Sequence, residues 1–260
     1  MPAGYWVIRS YEAGPVGEKT KFWIPGERPL KSGRREKSEL RKQEQNAYSA
    51  ERKLARLINA NCGTDWVLLG LDYSEAGMRK LEDWACAQGQ DIDALDEGER
   101  ADILYGAAER EMRLALRRVG RELARAGANL NYMASTSDMD GKTGEAVRVH
   151  HHLLVPADTC EIFKRKWAAL GSVDWRRLDH QDDYTPIAHY IIEQVRHVPD
   201  AKKFTCSQNL TRPQPRDRVA VTDAELRIPR GAKLLHRSEY KPGAPQYIRF
   251  VLPEYRRMRE

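Results

Sequence analysis

Arg148-Val149-His150-His151-His152-Leu153-Leu154-Val155 is the stretch on which the reading of this chain turns. Apolar residues flank the three histidines, so the segment predicts a buried β-strand over roughly 147–155. Successive side chains on a strand point to opposite faces. His150 and His152 therefore project together, and His151 points the other way. Two imidazoles on one side of a rigid strand can share a divalent cation and leave coordination positions open for a phosphate. That pattern suits metal-assisted chemistry on a phosphodiester better than a structural zinc site.

Working outward, residues 66–73 form a continuous apolar run that predicts a central strand. Two helices are expected after it, near 74–88 and 97–126. The second carries Leu104, Ala108, Met112, Leu116, Val119 and Leu123 at helical spacing, a core-packing stripe that ends at Gly127. Residues 129–137 predict a strand, and a turn at 138–144 returns the chain into the histidine strand. A helix at about 157–169, a strand near 172–178 and a last helix opening at Thr185-Pro186 follow. There Thr caps the helix and Pro fits its first position. The order β, α, α, β, β, α, β, α predicts an α+β fold, a ferredoxin-like antiparallel sheet with helices on one face and a closing helix.

Ahead of this core, residues 5–11 and 20–24 predict short strands. Residues 25–56 are crowded with cations, including Arg28, Lys31, Arg34, Arg35, Lys37, Arg41, Lys42, Arg52 and Arg56. From about residue 38 the pattern turns helical, with Ala47, Ala50, Leu54, Leu57 and Ile58 on one face. Such a basic helix suits a DNA backbone. It suits equally a solvated helix packing on the core, since Glu36, Glu39, Glu44 and Glu51 dilute its charge. Beyond residue 200 come Pro-rich turns and two expected strands, 232–237 and 246–252. The sequence thus divides into 1–62 (N-terminal strands and basic helix), 63–200 (core) and 201–260 (C-terminal β extension).

The chain has 260 residues, 41% hydrophobic and 32% charged, with a formal net charge of +6. This composition fits a globular protein with a heavily charged surface and favours a polyanionic partner, although a mildly basic enzyme accounts for it too. Cys62, Cys86, Cys160 and Cys206 have no CxxC spacing, which speaks against a zinc knuckle or a disulfide framework. No secretory leader and no 18-residue apolar run is visible, so a cytoplasmic protein is expected, in the host cytoplasm if phage-encoded.

The last helix reads Pro186-Ile187-Ala188-His189-Tyr190-Ile191-Ile192-Glu193-Gln194. Ile187, Ala188, Ile191, Ile192 and Val195 form its buried side, and Tyr190 and Gln194 stand one turn apart on the flank. Packed beside the histidine strand, the helix would bring the Gln194 amide oxygen to the metal and the Tyr190 phenol over a bound phosphate. A phenol is a poor nucleophile until a nearby cation favours its phenolate. Tyr184, just before the helix, reads as a turn residue or a second nucleophile. Asp72, at the end of the first core strand, is another candidate third ligand.

With these residues in view, His150-His151-His152-Leu-Leu-Val resembles the histidine–hydrophobic–histidine motif of HUH endonucleases. The closest likeness is to rolling-circle replication initiators of phages and plasmids, the gene-II-protein-like replication-associated family. Trp66–Tyr73 resembles the family's first strand motif, Ala188–Gln194 its tyrosine helix, and Phe204–Pro213 a segment that follows it. Leu54–Asn61 resembles its lead-in, so the resemblance covers about residues 40–215. It implies an HUH core in which His150 and His152 bind the metal, Mg²⁺ or Mn²⁺, with Gln194 as third ligand and Tyr190 as nicking tyrosine. Three positions depart from the pattern. His151 occupies the hydrophobic position, Glu193 stands where relatives carry Lys and is a further candidate ligand, and Gly70-Leu71 replaces a common Thr. Arg148, Lys202, Lys203, Ser207 and Arg212 are candidate DNA contacts.

The resemblance implies a replication initiator that nicks single-stranded origin DNA through a 5′-phosphotyrosyl intermediate and leaves a free 3′-hydroxyl. A host helicase and DNA polymerase are the expected partners, since no ATPase module is visible. A single-tyrosine transposase or plasmid relaxase shares the chemistry, and a degenerate DNA-binding repressor shares only the fold. The oligomeric state stays open.

Overall fold

A computed structural model describes residues 4–26, 39–140, 143–195 and 202–254, with side chains of the first helix from residue 44 onward. The expected cations between residues 28 and 37, and the side chains of Arg41 and Lys42, lie outside the described residues. Among the described residues the elements follow in the order β1 (Gly4–Ala13), β2 (Val16–Pro25), α1 (Glu39–Asn61), β3 (Trp66–Tyr73), α2 (Glu75–Ala87), α3 (Glu97–Arg125), β4 (Met133–Met139), β5 (Ala146–Pro156), α4 (Cys160–Trp167), β6 (Gly171–Arg177), α5 (Thr185–Glu193), β7 (Thr205–Cys206), β8 (Arg216–Ala220), β9 (Lys233–Arg237) and β10 (Gln246–Val251). The fold is α+β, with two antiparallel five-stranded sheets, β8-β1-β2-β10-β9 and β6-β3-β5-β4-β7.

The apolar run of β3 has a structural reason. Val67, Leu69, Leu71 and Tyr73 face one side and pack with α2, α3 and α4. Trp66 and Leu68 face the other and pack with α1 and α5. A strand covered on both faces needs apolar residues of both parities. This corrects the expectation of helices on one face, because α1 joins α5 on the far side of the sheet.

α1 starts and ends close to where its pattern predicts, and Ala47, Leu54, Leu57 and Ile58 are buried. Two of its cations do not reach outward. Arg52 and Arg56 both ion-pair with Glu18 of β2, at 3.2 and 2.8 Å, and Glu18 is only 3% exposed. Part of the helix's positive charge thus holds it to the first sheet. The β1–β2 turn presses on the same helix. Gly14 takes φ +55, and a Cβ there would lie 2.1 Å from the Asn59 carbonyl oxygen, so glycine is required.

Strand pairing cuts across the expected segments. β1 and β2 from the N-terminal part pair with β8 and β10 from the C-terminal part. β7, also from the C-terminal part, adds an edge to the histidine sheet against Met133 and Ala134. The expected strand at 129–137 begins only at Met133. Before it, the Tyr132 N–H donates to the Ser207 hydroxyl at 3.1 Å. Among the described residues no helix is long and apolar enough to cross a membrane.

Candidate active site

β5 separates the three histidines as strand geometry requires. His151 is fully buried beneath α3 and α4. Its Nδ1 lies 3.0 Å from Thr136 Oγ1 and its Nε2 3.0 Å from the Tyr73 hydroxyl. The ring also meets Tyr73 and Trp167 edge to face. Burial, with the charges of His150 and His152 beside it, lowers its pKa to about 3, so the ring is neutral. Its role is packing and hydrogen bonding.

His150 and His152 emerge on the opposite face, where register builds two polar rows. Ser172, Asp72, His150 and Ser137 stand side by side on β6, β3, β5 and β4. Asp174, Gly70, His152 and Ser135 form the next row. His150 Nδ1 lies 3.1 Å from the Arg148 carbonyl oxygen, which keeps a proton on Nδ1 and turns the Nε2 lone pair inward. The two Nε2 atoms are 3.1 Å apart, with the rings nearly perpendicular. Burial, then the neighbouring His150, lowers the His152 pKa to about 4, and this ring too is neutral.

α5 supplies the remaining groups. Its start is fixed by Asp183, whose carboxylate accepts from the Thr185 N–H at 2.9 Å and from the Thr185 hydroxyl. Asn59 of α1 accepts from the Tyr184 N–H at 2.7 Å, which seats the helix on the sheet. The capping carboxylate is therefore Asp183, and Thr185 is the first helical residue, one position earlier than expected. Gln194, 3% exposed, has its side-chain N–H₂ bonded to the Tyr190 carbonyl at 3.2 Å, and its backbone carbonyl accepts from the Ser137 hydroxyl at 3.1 Å. These bonds turn the amide oxygen toward His152 Nε2, 2.9 Å away. Tyr190 lies one turn back, its ring centroid 5.4 Å from that of His152. It is 40% exposed, so its phenol is open to solvent and to a ligand.

The structure thus brings His150, His152, Gln194 and Tyr190 together. Ligands at right angles around an octahedral cation with bonds of about 2.1 Å stand about 3.0 Å apart. The observed spacings of 3.1 and 2.9 Å match; the His152 Nε2–H that donates to the Gln194 oxygen would give up its proton for a cation to take its place. The donor set fits a divalent cation such as Mg²⁺ or Mn²⁺. Among the described residues no three His, Cys, Asp or Glu side chains gather at ligating distance, and the side-chain oxygen bonded to the histidine pair is the Gln194 amide. Asp72 shares the face, directly across from His150, without bonding it. Glu193 sits on the exposed side of α5, and the side chain of that helix bonded to His152 is Gln194. Tyr184 is buried, 3% exposed, and donates to the Asp179 carbonyl at 2.9 Å, which fits a turn residue and not a second nucleophile.

The candidate DNA contacts divide. Arg148 is exposed, shares the face of the histidines and donates to the Tyr73 carbonyl at 2.9 Å. Lys202 is exposed beside the end of α5. Lys203 donates to the Val195 carbonyl at 2.6 Å, while its own carbonyl accepts from Ser135. It ties the end of α5 to β4. Arg212 donates to the Ser207 carbonyl at 3.1 Å and keeps an exposed head. Ser207 is buried at the β7 edge with its hydroxyl engaged by Tyr132, a position that serves the fold rather than a bound strand.

Sequence reading missed Asp174. A Cβ on Gly70 would lie 2.7 Å from Asp174 Oδ1, so the carboxylate leans across the bare strand toward His152, whose pKa its charge raises. The alternation of β6, with Ser172, Asp174 and Arg176 on one parity, is the signal that would have found it. No protein-family model, characterised protein or solved structure matches this chain.

Proposed function

We propose that this protein is an HUH-type DNA nickase and strand transferase that initiates rolling-circle replication, with Tyr190 as its nucleophile. One observation carries the reading: an accessible phenol packs against a pair of imidazoles whose Nε2 atoms lie 3.1 Å apart, one of them 2.9 Å from a fixed amide oxygen. The strand order supports it. Taken in chain order, the four main strands of the histidine sheet lie 4-1-3-2, all antiparallel, in the β-α-β-β-α-β pattern of ferredoxin-like cores.

His150, His152 and Gln194 would hold Mg²⁺ or Mn²⁺, and the bound ion would supply positive charge to a non-bridging phosphate oxygen and to the phenolate. The chain's own groups do the rest. The Tyr190 oxygen loses its proton and bonds to phosphorus, and the bond to the 3′-oxygen of the upstream nucleotide breaks. That oxygen takes a proton and leaves as a 3′-hydroxyl. The phosphodiester energy stays in the phosphotyrosyl bond, so rejoining needs no ATP. The Tyr190 carbonyl holds the Gln194 side-chain N–H₂ and Ser137 holds the Gln194 backbone carbonyl, so the amide oxygen is in place before DNA arrives.

The test uses single-stranded oligonucleotides of random sequence, labelled at the 3′ end, with Mn²⁺ and denaturing electrophoresis. Wild-type protein should carry the label, and Tyr190→Phe should bind DNA yet carry none. An adduct that survives Tyr190→Phe refutes the nucleophile. No adduct with wild-type protein supports a non-catalytic DNA-binding repressor instead.

A further inference from the structure

Between residues 110 and 125, α3 carries six arginines and two glutamates. Both acids are engaged. Glu111 pairs with Arg110 at 2.5 Å, and Glu122 with Arg165 and Lys166 of α4 at 2.5 and 2.6 Å. Arg113 and Arg117, one turn apart and exposed, have no ion pair among the described residues. They do not face empty solvent. With Arg110 they form one wall of an open groove of about 820 Å³ along the β7 edge of the histidine sheet. The opposite wall presents amides from Asn129, Gln208 and Asn209, with the Tyr132 ring at its base.

The chemistry of the two walls is complementary to one kind of ligand. Unpaired guanidinium groups in a row favour successive phosphates, and the facing amides and ring offer hydrogen bonds and a stacking surface to bases. A small anion would use the cations and leave the amide wall idle. Duplex DNA keeps its bases paired and stacked away from such a narrow wall. The groove lies on the α3 side of the histidine sheet and meets the opposite, histidine-bearing face around the β7 edge: β7 pairs with Met133 and Ala134 of β4, the strand whose Ser135 and Ser137 lie beside the two histidines. At about 3.3 Å per residue, β4 spans about 13 Å between Met133 and Ser137, so the edge and the histidines are close neighbours in the sheet. Exposed Lys202 and Arg212 stand at the same edge.

We propose that this groove holds the backbone of single-stranded DNA flanking the nicked bond, a second contact region separate from the tyrosine pocket. The identity of the strand rests on the nickase reading; the groove's preference for an unpaired polynucleotide rests on its own walls.

The experiment is fluorescence-anisotropy binding of labelled oligothymidylate, about 16 nucleotides long, without added divalent metal, across a salt series. Arg113→Ala with Arg117→Ala should weaken binding about tenfold at ~0.1 M salt and flatten the log K against log salt slope by about 1.4, two single-strand phosphate contacts. Both are exposed helix positions where alanine favours the helix, so circular dichroism should be unchanged. Arg118→Ala with Arg125→Ala removes equal charge outside the groove and should bind as wild type. Unchanged binding by the groove pair, an equal loss in the control pair, or equal affinity for a duplex of the same length overturns the proposal. So does wild-type protein that does not bind the oligonucleotide. Because binding is read without metal or cleavage, intact adduct formation alongside any of these results sinks the groove and spares the nickase. Lost adduct formation with the expected binding pattern does the reverse.

Discussion

His151 and His152 are chemically the same group one residue apart, yet they occupy two different worlds. The first is sealed under α3 and α4 with a hydroxyl on each ring nitrogen. The second shares its inward nitrogen with another imidazole and an amide, beside an exposed phenol. The difference arises from the period of two of the strand alone. One face of β5 is spent on rigidity, and the other receives the chemistry that the rigidity positions.

The comparison breaks most sharply at the ligand pair. His150→Ala or His152→Ala should abolish metal-dependent nicking and lower Mn²⁺ affinity at least tenfold, measured by calorimetry, with modest effects on folding. Full nicking by either variant would remove the distinction between the faces. His151→Ala should do the opposite. It leaves a cavity and strands the Thr136 and Tyr73 hydroxyls, and urea denaturation should show a loss of about 2–4 kcal/mol. Nicking per folded molecule should persist.

A smaller, graded effect sharpens the contrast. Burial holds the two rings at pKa values of about 3 and about 4, against 6.5 for an ordinary histidine. Below pH 6.5 the unfolded chain takes up protons that the folded one refuses. Each ring should therefore remove stability as pH falls, at up to about 1.4 kcal/mol per pH unit, until pH reaches its folded value. Stability should be full above pH 7 and should decline toward pH 4. His151→Gln should flatten part of that slope, and Mn²⁺ should steepen it, since protons compete for the ligand nitrogens.

The sequence disclosed most where local pattern and burial coincide. β3, α2, α3 and β5 lie within one or two residues of their expected bounds, because continuous apolar runs, a clean helical stripe and Gly127 mark them. Tyr190 and Gln194 were legible from spacing on one helix. Other features depended on partners far away in the chain. β8 reads Arg-Asp-Arg-Val-Ala, almost wholly exposed, and only pairing with β1 makes it a strand. β7 has two residues and no pattern to detect. Asp174 looked like ordinary surface until register set it across Gly70 from His152. The arginines of α3 were in plain view, but the apolar stripe drew the reading to the helix's other side.

The pairing of the first hairpin with β8 and β10 also sets an order of events at the ribosome. Every strand of β6-β3-β5-β4, together with α5, has been synthesised by residue 193. β1 and β2, made before that sheet, must wait for residues 216–251 before both their edges are covered. Once Gln194 is added, a nascent chain would therefore carry its histidine–tyrosine site while the β1–β2 hairpin still sought partners. Chaperone dependence and aggregation during synthesis should concentrate in that interval and at that hairpin.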